Sequence, residues 1–176
     1  MRLLPVLTVV IASLLSVACS NPVPPAGVTV VSPFESQRFL GTWYEIARFD
    51  HHFESGLEKV TATYSLRGDG GIDVVNKGYN PERGIWQKTD GVAWFTGAPN
   101  RAALKISFFG PFYGGYNVIA LDKEYRHALV CGPDRDYLWL LARTPKISPQ
   151  VKQQMLDIAT RQGFDVSKLI WVNQRY

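Results

Sequence analysis

Between Gly41 and Arg143 the chain alternates apolar and polar residues in short runs, and turn-forming residues separate these runs. This period of two is typical of strands with one buried face. No long helical pattern interrupts the runs, and glycine-rich turns such as Arg67–Gly71 suit hairpins, which favours an antiparallel meander. Strands are predicted over residues 41–50, 58–67, 71–79, 84–96, 102–108, 115–122, 126–132 and 136–143. Eight such strands are enough to close a small up-and-down barrel.

A helix is predicted after the last of these strands. Ser148 suits its N-cap, Pro149 its first position and Gly163 its end. An apolar stripe along one side indicates that the helix packs against the outside of the barrel. The stripe consists of Val151, Met155, Ile158 and Ala159. A short final strand follows over 169–172, and a turn or short helix is expected over 34–40. The expected fold is therefore all-β, an eight-stranded antiparallel barrel with one C-terminal helix outside it.

The first 19 residues read as a processing signal. Arg2 gives a positive start, residues 3–17 are mostly apolar, and Ala18 places a small residue before Cys19. This order is that of a secretory signal peptide over 1–18, and the apolar run is short for a spanning helix. The alternative is that Cys19 is only one residue within an ordinary cleaved signal. Residues 19–32 contain Pro22, Pro24 and Pro25 and are predicted to form a tether without a core-forming pattern, ahead of one folded domain over 33–176.

Composition narrows the class of protein. The sequence is 46% hydrophobic and 12% aromatic over 176 residues, which suits one domain with a large core. The net charge is only +4 and its lysines and arginines are dispersed, so no nucleic-acid partner is expected. Two cysteines, Cys19 and Cys131, give no disulfide framework if Cys19 has another use.

Trp43 and Arg143 connect the two ends of the predicted sheet. If the first and last strands lie antiparallel and side by side, Trp43 near the start of one lies beside Arg143 at the end of the other. The guanidinium can then stack on the indole by a cation–π contact of about 0.5 to 2 kcal/mol. Such a contact would join the two edges of the sheet, as a barrel requires.

These motifs resemble those of the lipocalin family, and most closely its bacterial outer-membrane lipoprotein group, which is related to apolipoprotein D. Gly41-Thr42-Trp43-Tyr44 corresponds to the first family motif, Lys123-Glu124-Tyr125 to the second and Arg143 to the third. The second departs from the usual Thr-Asp-Tyr by losing the threonine. The segments 108–116 and 134–137 also match the bacterial group. The resemblance covers the chain from Cys19 onward and implies a structural kernel of Gly41, Trp43, Tyr125 and Arg143.

The same resemblance implies that Cys19 carries a lipid. In these lipoproteins diacylglycerol is attached to the thiol and a fatty acyl group, such as palmitate, to the new amino terminus. Ser16 stands where that family usually has leucine, and Ser20 after the cysteine implies delivery to the outer membrane. The expected location is therefore the periplasmic face of the outer membrane. A homodimer is a further expectation from the family. Ile119 and Leu121 are predicted to face outward, where they could lie under the helix or at a dimer contact.

Strand parity predicts which side chains face the barrel interior. Starting from Trp43 and Arg143, the interior set also includes Phe49, Val60, Gly91, Ala120 and Leu141. Several inward residues are glycine or alanine, which leaves volume for an acyl chain; the alternative is a solid core. The candidate ligand-binding residues are Glu45, Ala47, Ala62, Tyr64, Val74, Asn76, Ala93, Phe95, Leu104, Ile106, Phe108, Tyr113, Tyr116, Val118, Tyr137 and Trp139.

Other chemistry is weakly indicated. His51, His52 and Glu54 lack metal-ligand spacing and suit a solvated rim, so neither a metal nor another cofactor is expected. His127 and Cys131 lie about 13 Å apart along a strand, too far for a hydrogen bond. Some lipocalins are enzymes with a thiol inside the barrel, but Cys131 has the parity opposite to inward Val130. A structural thiol is the expected role.

The ligand is expected to enter between the loops 50–57, 79–84, 109–115 and 132–136, which lie opposite the Trp43 end. Aromatic side chains in these loops line a mouth or touch a membrane, or alternatively close a hydrophobic minicore. They are Phe53, Phe109, Phe112 and Tyr113. Arg83 and Arg135 are candidates for pairing with a carboxylate or phosphate head group. The expected function is binding, storage or transport of fatty acids, lysophospholipids or phospholipids for membrane maintenance; a lipid-acting enzyme and a structural envelope protein are the alternatives.

Overall fold

The computed structural model describes residues 21–175 and contains the predicted barrel. Two helices, α1 (Ser36–Phe39) and α2 (Pro149–Arg161), flank it in the chain. Its strands are β1 (Gly41–Phe49), β2 (Glu58–Leu66), β3 (Ile72–Asn80), β4 (Ile85–Phe95), β5 (Ala103–Phe109), β6 (Phe112–Leu121), β7 (His127–Cys131) and β8 (Leu138–Ala142). A turn of 3-10 helix (Val166–Lys168) leads into a ninth short strand, β9 (Leu169–Trp171). Among residues 21–175, no helix is both long and apolar enough to cross a membrane.

The sheet closes because β1 pairs on both of its sides. Each strand from β2 to β8 is antiparallel to the next, and β1 pairs with β8 on one side and with β2 on the other. Trp43 lies opposite Ala62, and Tyr44 lies opposite Ala142. The prediction of a closed eight-stranded antiparallel barrel is confirmed.

A β-bulge in β1 overturns part of the predicted interior. The register against β8 shifts between Glu45 and Ala47, so the side chains beyond it exchange faces. Glu45 points into the barrel as predicted, but Ala47 and Phe49 belong to the outer apolar cluster under α2. Arg48, opposite Trp139, takes the interior position instead. The predicted inward orientation of Ala47 and Phe49 is therefore wrong.

A second bulge in β6 has the same effect. The register against β7 shifts between Val118 and Ala120, and Ala120 joins the outer cluster rather than the interior. Leu121 correspondingly packs against the inner core. Parity counted along the sequence fails at both bulges because each inserts one unpaired residue. β6 also begins at Phe112, three residues before its predicted start, because a tight Gly110-Pro111 turn pairs Phe109 with Phe112.

Helix α2 packs outside the barrel, as predicted. The Ser148 hydroxyl accepts a hydrogen bond from the Val151 amide at 3.2 Å, which satisfies one free donor of the first turn. Met155 and Ala159 are buried against an apolar patch on β6, β7 and β8. Ile119, which could have lain under the helix or at a dimer contact, belongs to this patch.

The C-terminal segment fills a gap between β1 and β2. These strands pair only over residues 41–44 and 61–64, and beyond that point β9 pairs with β1. Gln174 then bridges the two strands, donating through Nε2 to the carbonyl of Glu45 at 2.8 Å and of Val60 at 2.9 Å. The barrel is thereby sealed along the seam where its own ladder ends.

The segment before α1 differs from the predicted free tether. Val30 is buried, and the amide of Val31 donates to the carbonyl of Val118 at 2.9 Å. The carbonyl of Val31 accepts from the amide of Ala102 at 3.0 Å, so this stretch packs against the barrel. The prediction that 19–32 has no core-forming part is wrong for its last residues. The predicted signal peptide and Cys19 lie outside the described residues.

Candidate ligand-binding cavity

One end of the barrel is closed by the predicted kernel. The Arg143 guanidinium lies over the Trp43 ring at 3.9 Å from its centre, and donates to the carbonyls of Tyr125 at 3.1 Å, Thr42 at 3.1 Å and Arg38 at 2.8 Å. Trp43 itself donates through Nε1 to the carbonyl of Phe39 at 2.8 Å. Removal from water lowers the pKa of Arg143, but the cation is balanced by these carbonyl dipoles. Trp43 and Arg143 therefore join α1, β1 and β8 at one point.

Two residues with positive φ lie beside the Trp43–Arg143 contact. Gly41 has φ of +94°, and a Cβ there would meet Arg143 Nη1 at 3.3 Å. Tyr125 has φ of 54°, and its buried hydroxyl accepts from the Glu35 amide at 3.0 Å. Glycine is the residue that takes such a conformation without strain, which explains the Gly-x-Trp-Tyr pattern.

The other half of the barrel encloses a cavity of about 410 Å³. Its floor is formed by Tyr64 and Tyr116, whose hydroxyls are 2.7 Å apart. Its opening is bounded by Phe53 and Leu57 from the β1–β2 loop, Gln87 from β4 and Phe108 from β5. The opening therefore lies at the end opposite Trp43, as predicted. We call it the mouth.

Nine of the sixteen candidate ligand-binding residues line this cavity. They are Glu45, Ala62, Tyr64, Val74, Asn76, Ile106, Phe108, Tyr116 and Trp139. The small side chain of Ala62 and the lack of a side chain at Gly78, whose Cβ would point towards the lining residues Leu57 and Val60, leave part of the space. The alternative of a solid core is wrong for this half of the barrel.

The other seven candidates lie outside the cavity. Ala93, Phe95, Leu104 and Val118 belong to the packed core at the closed end, below the tyrosine pair. Ala47 lies outside the barrel because of the β1 bulge. Tyr113 is exposed on the β5–β6 hairpin, and Tyr137 stacks on His51 with ring centres 4.1 Å apart rather than lining the cavity.

Several lining residues were not among the candidates. Val60, Val130 and Leu141 were predicted to face inward but were not assigned to the site, and all three line the cavity. The remaining ones come from the β1–β2 loop and from the strand ends nearer the mouth, beyond the positions that were counted as inward. They are Phe53, Glu54, Leu57, Lys77, Gly78, Gln87, Thr89 and Gly115.

A buried charge cluster forms one wall of the cavity. Arg48, only 1% exposed, donates through Nη1 to Glu45 Oε1 at 2.9 Å, and Glu45 is 5% exposed. Arg48 also donates to the Glu54 carbonyl at 2.8 Å and to Asp50 Oδ1 at 3.3 Å. Trp139 Nε1 donates to Glu54 Oε1 at 2.9 Å. Glu54 thus belongs to the interior, and its predicted place on a solvated rim is wrong.

Burial governs the charge state of this cluster. Removal from water, together with the neighbouring Glu54 carboxyl, raises the pKa of Glu45 to about 8 despite its bond to Arg48. Burial also raises the pKa of Glu54, although the Trp139 hydrogen bond opposes this. At neutral pH the wall therefore holds one arginine and two carboxyls that resist full ionisation. Glu45 and Glu54 are hydrogen-bonding groups within an otherwise mainly apolar surface.

The remaining candidates for chemistry lie away from the cavity. Cys131 is buried in the outer cluster, and burial raises the pKa of its thiol to about 12. His51 Nε2 donates to the Asp136 carbonyl at 2.9 Å. Within residues 21–175, no group of three or more His, Cys, Asp or Glu side chains could hold a metal.

The two arginines that were expected near the mouth, Arg83 and Arg135, differ in their surroundings. Arg135 is bound outside the barrel, donating to the carbonyls of Gln162 at 2.9 Å and Ala26 at 2.8 Å, so its predicted role with a head group is wrong. Arg83 is exposed in the β3–β4 turn. The 132–136 loop continues beside β6, with Pro133 against Gly115, and does not bound the mouth.

Comparison with known proteins settles the family. A model of the lipocalin-like domain matches residues 34–174. The chain belongs to the lipocalin family. It is 74% identical over 174 residues to outer membrane lipoprotein Blc of Escherichia coli strain K12, covering 99% of this chain and 98% of that one. It is 32% identical to mouse apolipoprotein D, covering 87% of this chain and 82% of that one.

Solved structures agree with the fold. This lipocalin superposes on insecticyanin from the tobacco hornworm Manduca sexta with a TM-score of 0.68 at 20% identity, covering 87% of each chain. The name of the E. coli relative agrees with the predicted location of this lipocalin at the outer membrane.

Proposed function

We propose that this lipocalin is a lipid carrier that stores or transports fatty acids, lysophospholipids or phospholipids at the outer membrane. The observation that carries the proposal is the 410 Å³ cavity with one open end and a mainly apolar lining. This volume lies within the range of about 300–1,000 Å³ that is usual for small-ligand sites. The polar head would stay near the mouth, because the interior beyond Ile106 and Val74 is apolar down to the tyrosine pair.

The energetics allow useful affinity without a dedicated head-group contact. Burying about 14 methylenes at ~0.8 kcal/mol each contributes roughly 11 kcal/mol. Association and chain ordering oppose this by about 4 to 15 kcal/mol. Micromolar binding is the expected result, with exchange fast enough for a carrier.

We propose further that the protein is not an enzyme. The thiol that could act as a nucleophile lies outside the barrel and is held protonated by burial. Glu45 faces the cavity, but its carboxyl accepts a hydrogen bond from Arg48. An enzyme would require turnover that depends on Cys131 or Glu45.

The proposed carrier is anchored through an acylated Cys19. This would hold the barrel at the periplasmic face of the outer membrane, next to its ligand source. A homodimer remains a family-based expectation. Replacing Cys19 by Ser should release the protein from the membrane fraction, and unchanged fractionation would contradict the anchor.

A titration with a fluorescent fatty acid tests the carrier role. Trp139 lines the cavity, so its emission should be quenched saturably, with one ligand per chain. Trp139→Phe should remove most of this signal. Trp171→Phe is the matched control, because Trp171 is 43% exposed on β9 outside the barrel, and it should leave the signal intact. Absence of saturable quenching in the wild type would contradict lipid binding, and absence of ligand in native mass spectra would favour a structural envelope protein.

A further inference from the structure

The segment before the barrel lies along its outer wall, beside the open end. A turn closed by the Val28 amide and the Pro25 carbonyl at 3.1 Å brings Ala26 to Arg135, in the β7–β8 loop. Further back, Asn21 Oδ1 accepts from Lys105 Nζ at 2.9 Å. The same ammonium lies 5.1 Å from the centre of the Tyr113 ring. Asn21 is therefore held beside the β5–β6 hairpin.

This position restricts where a lipid anchor can leave the barrel. Cys19 is two residues before Asn21, and two extended residues span at most about 7 Å. An acyl group on Cys19 must therefore leave the barrel wall next to the β5–β6 hairpin, well away from the closed end at Trp43. A short connection of this kind keeps the open half of the barrel close to the bilayer.

The hairpin itself has the surface of a membrane contact. Phe109 is 78% exposed and Phe112 is 72% exposed, on either side of the Gly110-Pro111 turn, and Tyr113 is exposed beside them. They form no minicore. Residues 105–117 contain no Asp or Glu, so no acidic side chain of the hairpin opposes an anionic lipid surface. Exposed rings of this kind suit the apolar–polar boundary of a bilayer.

We propose that the tip of this hairpin, Phe109 to Tyr113, docks on the same bilayer that holds the Cys19 anchor, so that the mouth faces the membrane. The inference rests on the proposed anchoring. Phe108, the next residue before the tip, bounds the mouth, and Phe53 lies across it. A lipid leaving the bilayer at the hairpin would thus enter the cavity past aromatic side chains rather than through water. The lipid anchor holds the chain at the bilayer, and the apolar contact adds to this binding and fixes which side of the barrel faces the membrane.

Depth-dependent quenching in vesicles tests this orientation. The full acylated chain is placed in vesicles of phosphatidylethanolamine and phosphatidylglycerol that contain a doxyl-labelled phospholipid. Two variants each introduce one tryptophan at an exposed apolar position, Phe112→Trp at the hairpin tip and Leu66→Trp at the opposite end of the barrel. Leu66 is the matched control because it is 53% exposed at the end of β2.

For each variant, the measured quantity is the fluorescence quenched by the doxyl lipid in excess of that in the wild type. This excess should be at least about threefold larger for Phe112→Trp than for Leu66→Trp, because doxyl groups quench only rings that contact the bilayer. Equal quenching of both, or stronger quenching at Leu66, would overturn the proposed orientation. A blue shift at Phe112→Trp without doxyl quenching would also overturn it, since it would indicate that a second copy of the chain covers the hairpin.

A second measurement separates docking from anchoring and from lipid binding. In the non-acylated Cys19→Ser chain, Phe109→Ser with Phe112→Ser should weaken partition onto the same vesicles by about tenfold or more. Affinity for a fluorescent fatty acid in solution should be unchanged, because neither ring lines the cavity. Unchanged partition of the double variant would overturn docking. If the wild type itself did not bind the fatty acid, the carrier function would be contradicted instead.

Discussion

Arg48 Nη1 and Glu45 Oε1 lie 2.9 Å apart in the wall of the cavity, with both side chains almost fully buried. The pair exists because a bulge after Glu45 rotates Arg48 into a barrel that otherwise receives apolar side chains. A buried ion pair is costly to desolvate, and here a second carboxyl, Glu54, adds repulsion. The cluster is therefore sensitive to proton binding.

Stability should fall as pH rises from about 5 to about 8. The pKa of Glu45 is raised from 4.5 to about 8 in the folded protein, so the folded state binds the proton more tightly than the unfolded state. Its contribution is fully present below the unfolded pKa and is lost as pH rises through the folded one. Chemical denaturation at several pH values should show this decline.

Glu45→Gln should flatten that profile between pH 5 and pH 8, because glutamine cannot titrate. Glu82→Gln, on the exposed β3–β4 turn, is the control and should leave the decline in place. A wild-type profile that rises with pH over this range would show that Glu45 is already ionised in the folded protein.

Arg143→Ala should destabilise the barrel by about 2 to 4 kcal/mol, because it removes a cation–π contact and leaves carbonyls unpaired at the closed end. Arg143→Lys should retain part of the ring contact and lose less. Fatty-acid affinity should be nearly unchanged in both, since Arg143 does not line the cavity. A large loss of affinity with full stability would mean that the closed end takes part in binding.

Cys131 should be unreactive in the folded protein. Burial raises the pKa of its thiol to about 12, so almost no thiolate forms at pH 8. In the Cys19→Ser chain, a thiol reagent should label no residue under native conditions and one residue after denaturation. Rapid native labelling, or loss of fatty-acid binding in Cys131→Ala, would argue against a purely structural thiol.

The sequence pattern was sufficient to predict the barrel, the outer helix and the Trp43–Arg143 contact, because each depends on local periodicity or on a paired motif. It failed to predict that the side chains of Ala47, Phe49 and Ala120 face outward. Whether a strand pairs regularly or with a bulge depends on contacts across the sheet rather than on the residues of that strand alone. Counting in steps of two from Trp43 therefore places Arg48 outside.

The positions of loop residues were harder still to predict from the sequence. Glu54 appears polar enough for a rim, and only its bond to Trp139, far away in sequence, brings it into the cavity. Arg135 was assigned to a head group because of its loop, but its partners Gln162 and Ala26 come from two other parts of the chain. Long-range hydrogen bonds of this kind leave no local signal in sequence.

The measurement that tests the central claim most directly compares fatty-acid affinity before and after the cavity is filled. Ala62 lines the cavity on β2, so Ala62→Phe should occupy ligand space without overpacking and weaken binding by about tenfold or more, with little change in the denaturation midpoint. Ala98→Phe, in the exposed β4–β5 turn, is the control and should bind as the wild type does. Equal affinity of Ala62→Phe and the wild type, by calorimetric titration with one fatty acid per chain, would contradict binding inside the barrel.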